Sequence, residues 1–108
     1  MDVERFLVPV GQDLVIRVEL RKKAGRLAGF VCQLEADDGE DVVPVVRYDT
    51  SHGYLHVHKY WLSEEREVKD MEDRNHPATD YTTQLDEALD NLVEHHVDYV
   101  ARMKRAGK

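Results

Sequence analysis

The chain has little cysteine, a deficit of positive charge and no long apolar run, and each shortage removes a class of protein. A single cysteine, Cys32, cannot close an internal disulfide. A disulfide-stapled secreted module is therefore excluded, and a reducing cytosol is the expected compartment. No stretch approaches the roughly 20 apolar residues of a membrane-spanning helix. Met1-Asp2-Val3-Glu4-Arg5 lacks the basic and apolar regions of a signal peptide. A cytoplasmic location without a membrane partner is the expectation. With 15 Lys+Arg against 22 Asp+Glu, the net charge is −7. That balance counts against broad charge-driven binding of nucleic acid, while leaving room for a local basic site.

What is there reads as one globular domain, residues 1–108, without internal repeat, low-complexity tract or dividing linker. The charge is uneven. Residues 1–62 carry 8 basic and 10 acidic side chains (8 − 10 = −2) and residues 63–108 carry 7 and 12 (7 − 12 = −5). The first 62 residues alternate with period two. Leu14, Ile16, Val18 and Leu20 oppose Arg17, Glu19 and Arg21, the pattern of a half-buried strand. After the turn 22–26, Phe30, Cys32 and Leu34 define the next strand, and Asp37-Asp38-Gly39-Glu40 marks a second hairpin. Val42 to Tyr48 is a third strand, in which Pro44 predicts an edge position or a bulge. Thr50-Ser51-His52-Gly53 is a third turn and Tyr54 to Leu62 a fourth strand. A short strand over Phe6–Val10 precedes the set. Sequential hairpins make an antiparallel meander.

Residues 63–82 form a charged, irregular connection broken at Asn75-His76-Pro77, and a helix follows over 83–106. Thr83 and Asp86 have capping-box spacing. Leu85, Leu89, Leu92, Val93, His96, Val100 and Met103 make one stripe at 3.6 periodicity, and Arg102, Lys104 and Arg105 suit the last turn. The fold class is α+β: a twisted antiparallel meander of four to five strands packed against a long C-terminal α-helix.

The chemistry concentrates between Arg47 and Trp61, which holds three of the six histidines, three of the five tyrosines and the one tryptophan. On the fourth strand Tyr54, His56, His58 and Tyr60 share the face away from the core, while Leu55, Val57 and Trp61 face it. A four-residue loop 50–53 would pair Asp49 with Tyr54 and Arg47 with His56, bringing Arg47, Asp49, His56 and His58 onto one surface. A slip of one residue would substitute Tyr48 and Val46.

Three uses compete for that surface. In metal-free phosphodiester chemistry two histidines serve as general base and acid, Arg47 stabilises charge on phosphorus, and Asp49 orients a partner. Tyr54, Tyr60 and His52 would contact substrate. Alternatively, His52, His56 and His58 could ligate a divalent transition metal, since His-x-His places two imidazoles on one side of a strand. The third use is plain decoration of a solvated sheet face. Elsewhere, Arg17, Arg21, Lys22, Lys23 and Arg26 form a basic patch able to steer a phosphate backbone. His96 reads as a buried neutral imidazole, and Cys32 as a small core residue.

The run Val45-Val46-Arg47-Tyr48-Asp49-Thr50-Ser51-His52-Gly53-Tyr54-Leu55-His56-Val57-His58-Lys59-Tyr60 resembles the signature of the TumE-like toxin group of small prokaryotic proteins. The matching positions are Arg47, Tyr48, Asp49, His56 and His58, with His52 and Gly53 in the turn. Two departures stand out: Thr50 occupies a position where that pattern has asparagine, and the acidic Glu64-Glu65-Arg66-Glu67 follows the histidines. The resemblance implies a cytosolic toxin of a two-gene toxin–antitoxin pair, with an antitoxin protein as partner and RNA as substrate, while the metal-free reading of the residues needs no cofactor and the alternative reading needs a divalent transition metal. The runner-up expectation is a non-enzymatic module, a small homodimer that docks a protein partner or a metal.

Overall fold

The computed structural model describes residues 1–37, 39–51, 53, 55–62 and 80–107. Five strands, β1 (Asp2–Gly11), β2 (Leu14–Lys23), β3 (Arg26–Asp37), β4 (Val42–Asp49) and β5 (His56–Lys59), precede one helix, α1 (Thr82–Arg105). The strands lie in sheet order β1-β2-β3-β4-β5 with every neighbouring pair antiparallel, so the expected meander and α+β class hold. The expected irregular connection and the break at 75–77 lie mostly outside the described residues. No helix among the described residues is long and apolar enough to cross a membrane.

Turn chemistry sets the hairpins. Lys23 pairs with Arg26 across Ala24 (φ 51°) and Gly25 (φ 76°), both left-handed, as a two-residue hairpin of matching twist requires. Pro44 sits beside a bulge: Leu34 pairs with Val46 and Glu35 with Pro44, leaving Val45 as the extra residue. β5 pairs only with Val46, Arg47, Tyr48 and Asp49, so at Pro44 the strand is also a local edge, and bulge and edge together accommodate the proline. The first strand is longer than Phe6–Val10, because it pairs with β2 from Asp2 onward. The fourth is shorter than Tyr54–Leu62, because after Lys59 the chain turns, with the Leu62 amide donating to the Lys59 carbonyl at 3.0 Å.

Alternation divides the sheet into two faces. Ile16, Val18, Leu20, Phe30, Cys32, Leu34, Val46 and Val57 form the buried layer under α1, which packs on β3 and β4. Cys32 is fully buried, and burial pushes its thiol up to about 12, which fits the core role expected of it. From the helix, Ala88, Leu92 and Met103 are buried and Leu85, Leu89 and Tyr99 pack beside them.

Three helix expectations change. Val93 is exposed (48%), while Asn91 lies on the inner side, where its Oδ1 accepts hydrogen bonds from Tyr48 (3.0 Å) and Tyr99 (2.6 Å). Thr83 caps nothing: Tyr81 is the N-cap residue and makes no side-chain cap bond. Tertiary contacts fix that start, since Tyr81 is buried, its amide donates to Leu27 O at 3.0 Å and its hydroxyl to Gly53 O at 3.0 Å. His96 is half-buried, not buried, and its Nδ1 lies 2.7 Å from the Val93 carbonyl one turn back, so Nδ1 carries the proton.

Candidate functional site

The face of the sheet opposite α1 is assembled from charged and polar residues at every second position of three adjacent strands: Arg17, Glu19 and Arg21 on β2, Gln33 and Glu35 on β3, Arg47 and Asp49 on β4. The β4–β5 register adds the histidines. Asp49 pairs with His56 and Arg47 with His58 across the two strands. The connection is therefore longer than the expected four residues by two, and a shift of two leaves every side chain on its face. Arg47, Asp49, His56 and His58 lie on one surface, as the first of the two registers required. The His56 and His58 rings meet edge-on with centroids 5.5 Å apart, and His58 stacks on Tyr60 at 6.0 Å.

A continuous hydrogen-bonded relay runs through this layer. Arg17 grips Glu35 with Nε (2.8 Å) and Nη2 (3.2 Å). Gln33 Nε2 donates to the same carboxylate at 2.8 Å, and Gln33 Oε1 accepts from Arg47 Nη1 at 3.3 Å. Arg47 Nε donates to Asp49 Oδ2 at 2.8 Å, and the other Asp49 oxygen accepts the Ser51 amide at 2.6 Å. Gln33 thus bridges two ion pairs, each holding a buried carboxylate. Burial pushes the Glu35 carboxyl upward, but the Arg17 and Gln33 hydrogen bonds outweigh it and hold it below the usual glutamate range. Asp49 behaves likewise: burial raises it, and the bonds from Arg47 and Ser51 bring it below the usual aspartate value. In return, the bond to Glu35 raises the Arg17 guanidinium.

This face is not uniformly wet. Glu35 is 4%, Asp49 5% and His56 5% exposed, whereas His58 is half-buried. The expectation of two exposed histidines and two exposed tyrosines is corrected for His56, which is buried, and for Tyr60, which packs against the core cluster. Tyr54 and His52 lie outside the described residues. Asp49 orients Arg47 directly.

Several contributors escaped the sequence reading. Thr50, at the position that departs from the toxin pattern, is buried and closes β4 onto β3, its Oγ1 accepting the Phe30 amide at 2.9 Å. Arg21 Nη2 reaches the same oxygen at 3.4 Å. Both pass over Gly29, where a Cβ would stand 2.9 Å from Thr50 Oγ1 and 3.0 Å from Arg21 Nη2. Of the basic patch, Arg17 and Arg21 belong to this face, while Lys22 pairs with Glu4 at 3.2 Å. The signal for the relay was available as polar residues spaced i, i+2 on three successive strands. Among the described residues, no three of His, Cys, Asp and Glu group to hold a metal ion, and the third candidate ligand, His52, lies outside them.

On the same face, from β1 at the far edge of the sheet to Arg47 on β4, Arg5, Leu7, Arg17, Glu19, Val31 and Arg47 line an open depression of about 400 Å³. Comparison with known proteins places these features in one family: the model described as a domain of unknown function, DUF7718, matches residues 1–108. No curated protein and no solved structure matches the chain.

Proposed function

The chain belongs to the DUF7718 family, and we propose that it acts on RNA, as the toxin of a two-gene toxin–antitoxin pair, through its β4–β5 hairpin. The observation that carries this reading is the cross-strand pairing of Arg47 with His58 and of Asp49 with His56. One imidazole accepts the proton of the RNA 2′-hydroxyl, whose oxygen attacks phosphorus. The other donates a proton to the departing 5′-oxygen, leaving a 2′,3′-cyclic phosphate. Arg47, held by Asp49 and Gln33 with its Nη2 unpartnered among the described residues, offsets charge on the phosphoryl oxygens. RNA supplies the nucleophile, so no side-chain nucleophile is required. His58 is the more accessible imidazole and Tyr60 is stacked on it. Tyr54 and His52, which lie between Asp49 and His56 in the sequence, are the further substrate contacts of this reading.

The burial of His56 favours a second reading, a non-enzymatic module that docks a protein partner, a metal or a second copy of itself. Induced expression separates the two. Wild type is expected to arrest growth, the purified chain to cleave single-stranded RNA in the presence of a chelator, and H58A to lose both. Growth inhibition that survives in H58A and H56N sinks the catalytic reading. A chain that binds one equivalent of zinc, nickel or iron and cleaves nothing supports the second.

A further inference from the structure

We infer that the depression lined by Arg5, Leu7, Arg17, Glu19, Val31 and Arg47 is a subsite for the sugar-phosphate backbone of single-stranded RNA flanking the cleaved bond. This rests on the RNA reading above and extends it from the hairpin to the opposite edge of the sheet. The cross-strand row Leu7–Arg17–Gln33–Arg47–His58 spans all five strands. At about 4.8 Å between neighbouring strands it measures about 19 Å, so a strand lying across the sheet reaches the depression directly from His58.

The cations in it are pre-oriented. Glu35 takes Nε and Nη2 of Arg17, and Glu19 takes Nε of Arg5 at 2.9 Å. Nη1 of Arg17 and both Nη groups of Arg5 have no partner among the described residues, and these side chains are 56% and 72% exposed. A guanidinium fixed from behind by a carboxylate loses little rotamer freedom when a phosphate meets its outer edge. Leu7, 52% exposed, and Val31 supply apolar surface for sugar or base. Glu19 opposes the phosphate, which keeps this surface selective for a strand that also engages the hairpin. A net charge of −7 gives no general attraction to help it.

The test uses the full chain and a 2′-O-methyl single-stranded oligoribonucleotide, which lacks the attacking hydroxyl and is bound without being cut. R17Q/E35Q removes the cation without stranding the buried Glu35, and L7E adds an opposing charge at an exposed position without removing a partner. Both are expected to weaken binding about tenfold. In R17Q/E35Q the slope of log affinity against log salt should fall by about 0.7, the share of one phosphate contact on a single strand. On cleavable RNA, L7E and R5A should raise KM and spare kcat, whereas H58A should lose kcat and keep the methylated strand. If wild type cleaves RNA while all three depression variants bind and cleave as wild type does, the subsite is overturned and the hairpin reading stands. Arginine-dependent binding without cleavage in wild type overturns the hairpin chemistry and leaves the subsite.

Discussion

Arg17 and Glu35 are diagonal neighbours across β2 and β3, joined by parallel bonds of 2.8 and 3.2 Å, the fork geometry in which a guanidinium best matches a carboxylate. The pair is lopsided in exposure: the carboxylate side chain is 5% exposed and the arginine 56%. Glu35 is therefore a buried charge kept ionised by a partner at the surface, with Gln33 as its second donor. The pair links to Arg47 and Asp49 through one glutamine, so the charge state of β3 bears on the hairpin histidines' neighbours.

Acid should undo this layer. Glu35 and Asp49 both titrate below their ordinary values in the folded chain. As pH falls through the range near 4, the unfolded chain takes up protons before the folded one does, and stability declines. The contribution is complete above about pH 5 and disappears as pH falls through the folded values. Melting temperatures recorded from pH 7 down to pH 3 should therefore fall more steeply for wild type than for E35Q. The variant should be less stable at pH 7, with the gap closing on acidification. Parallel curves would show that Glu35 has the same proton affinity folded and unfolded.

Gly29 is reserved for contact and not for backbone conformation. The Cβ that alanine would add meets Thr50 Oγ1 at 2.9 Å, and that oxygen is itself fixed by the Phe30 amide. Arg21 can swing away, but Thr50, 5% exposed, cannot. Gly29→Ala should cost about 1–3 kcal/mol, the usual range for overpacking. Thr50→Ala alone should cost about 1–3 kcal/mol by stranding a buried amide. Because the second change removes the clash of the first, urea denaturation of the double variant should show a loss well short of the sum. Strict additivity would mean that the two positions do not collide.

How far the sequence could be read follows from periodicity. Period two located β2, β3 and the face shared by Arg47, Asp49, His56 and His58, and that assignment survived a register two residues from the expected one because the side-chain period is itself two. Turn composition could mark 50–53 as a turn without counting how many residues the connection needs. Helical apolarity favoured Val93 over Asn91, yet the helix turns Asn91 inward because two tyrosine hydroxyls need an acceptor there. The start of α1 depends on Tyr81 reaching Leu27 and Gly53, contacts distant in sequence. The burial of His56 and Glu35 was illegible for the same reason: long side chains of neighbouring strands determine which part of a polar face stays dry.

The two hairpin histidines should separate in a denaturation experiment even though they lie two residues apart on one strand. His56 is 5% exposed, opposite the buried Asp49, whereas His58 is half-buried and pairs with the partly exposed Arg47. Truncating a buried polar ring leaves a cavity and strands its hydrogen-bonding neighbours, so His56→Ala should cost about 1–3 kcal/mol. His58→Ala gives up half-buried ring contacts to His56 and Tyr60 and should cost less, about 0.5–1 kcal/mol. A loss of RNA cleavage in H58A at near-wild-type stability would then report chemistry, while the same loss in H56A would be confounded by unfolding. For that reason H56N, which keeps a polar group of smaller volume at the position, is the better probe there. Equal destabilisation by the two alanine variants would mean that His58 is as much a part of the packed layer as His56.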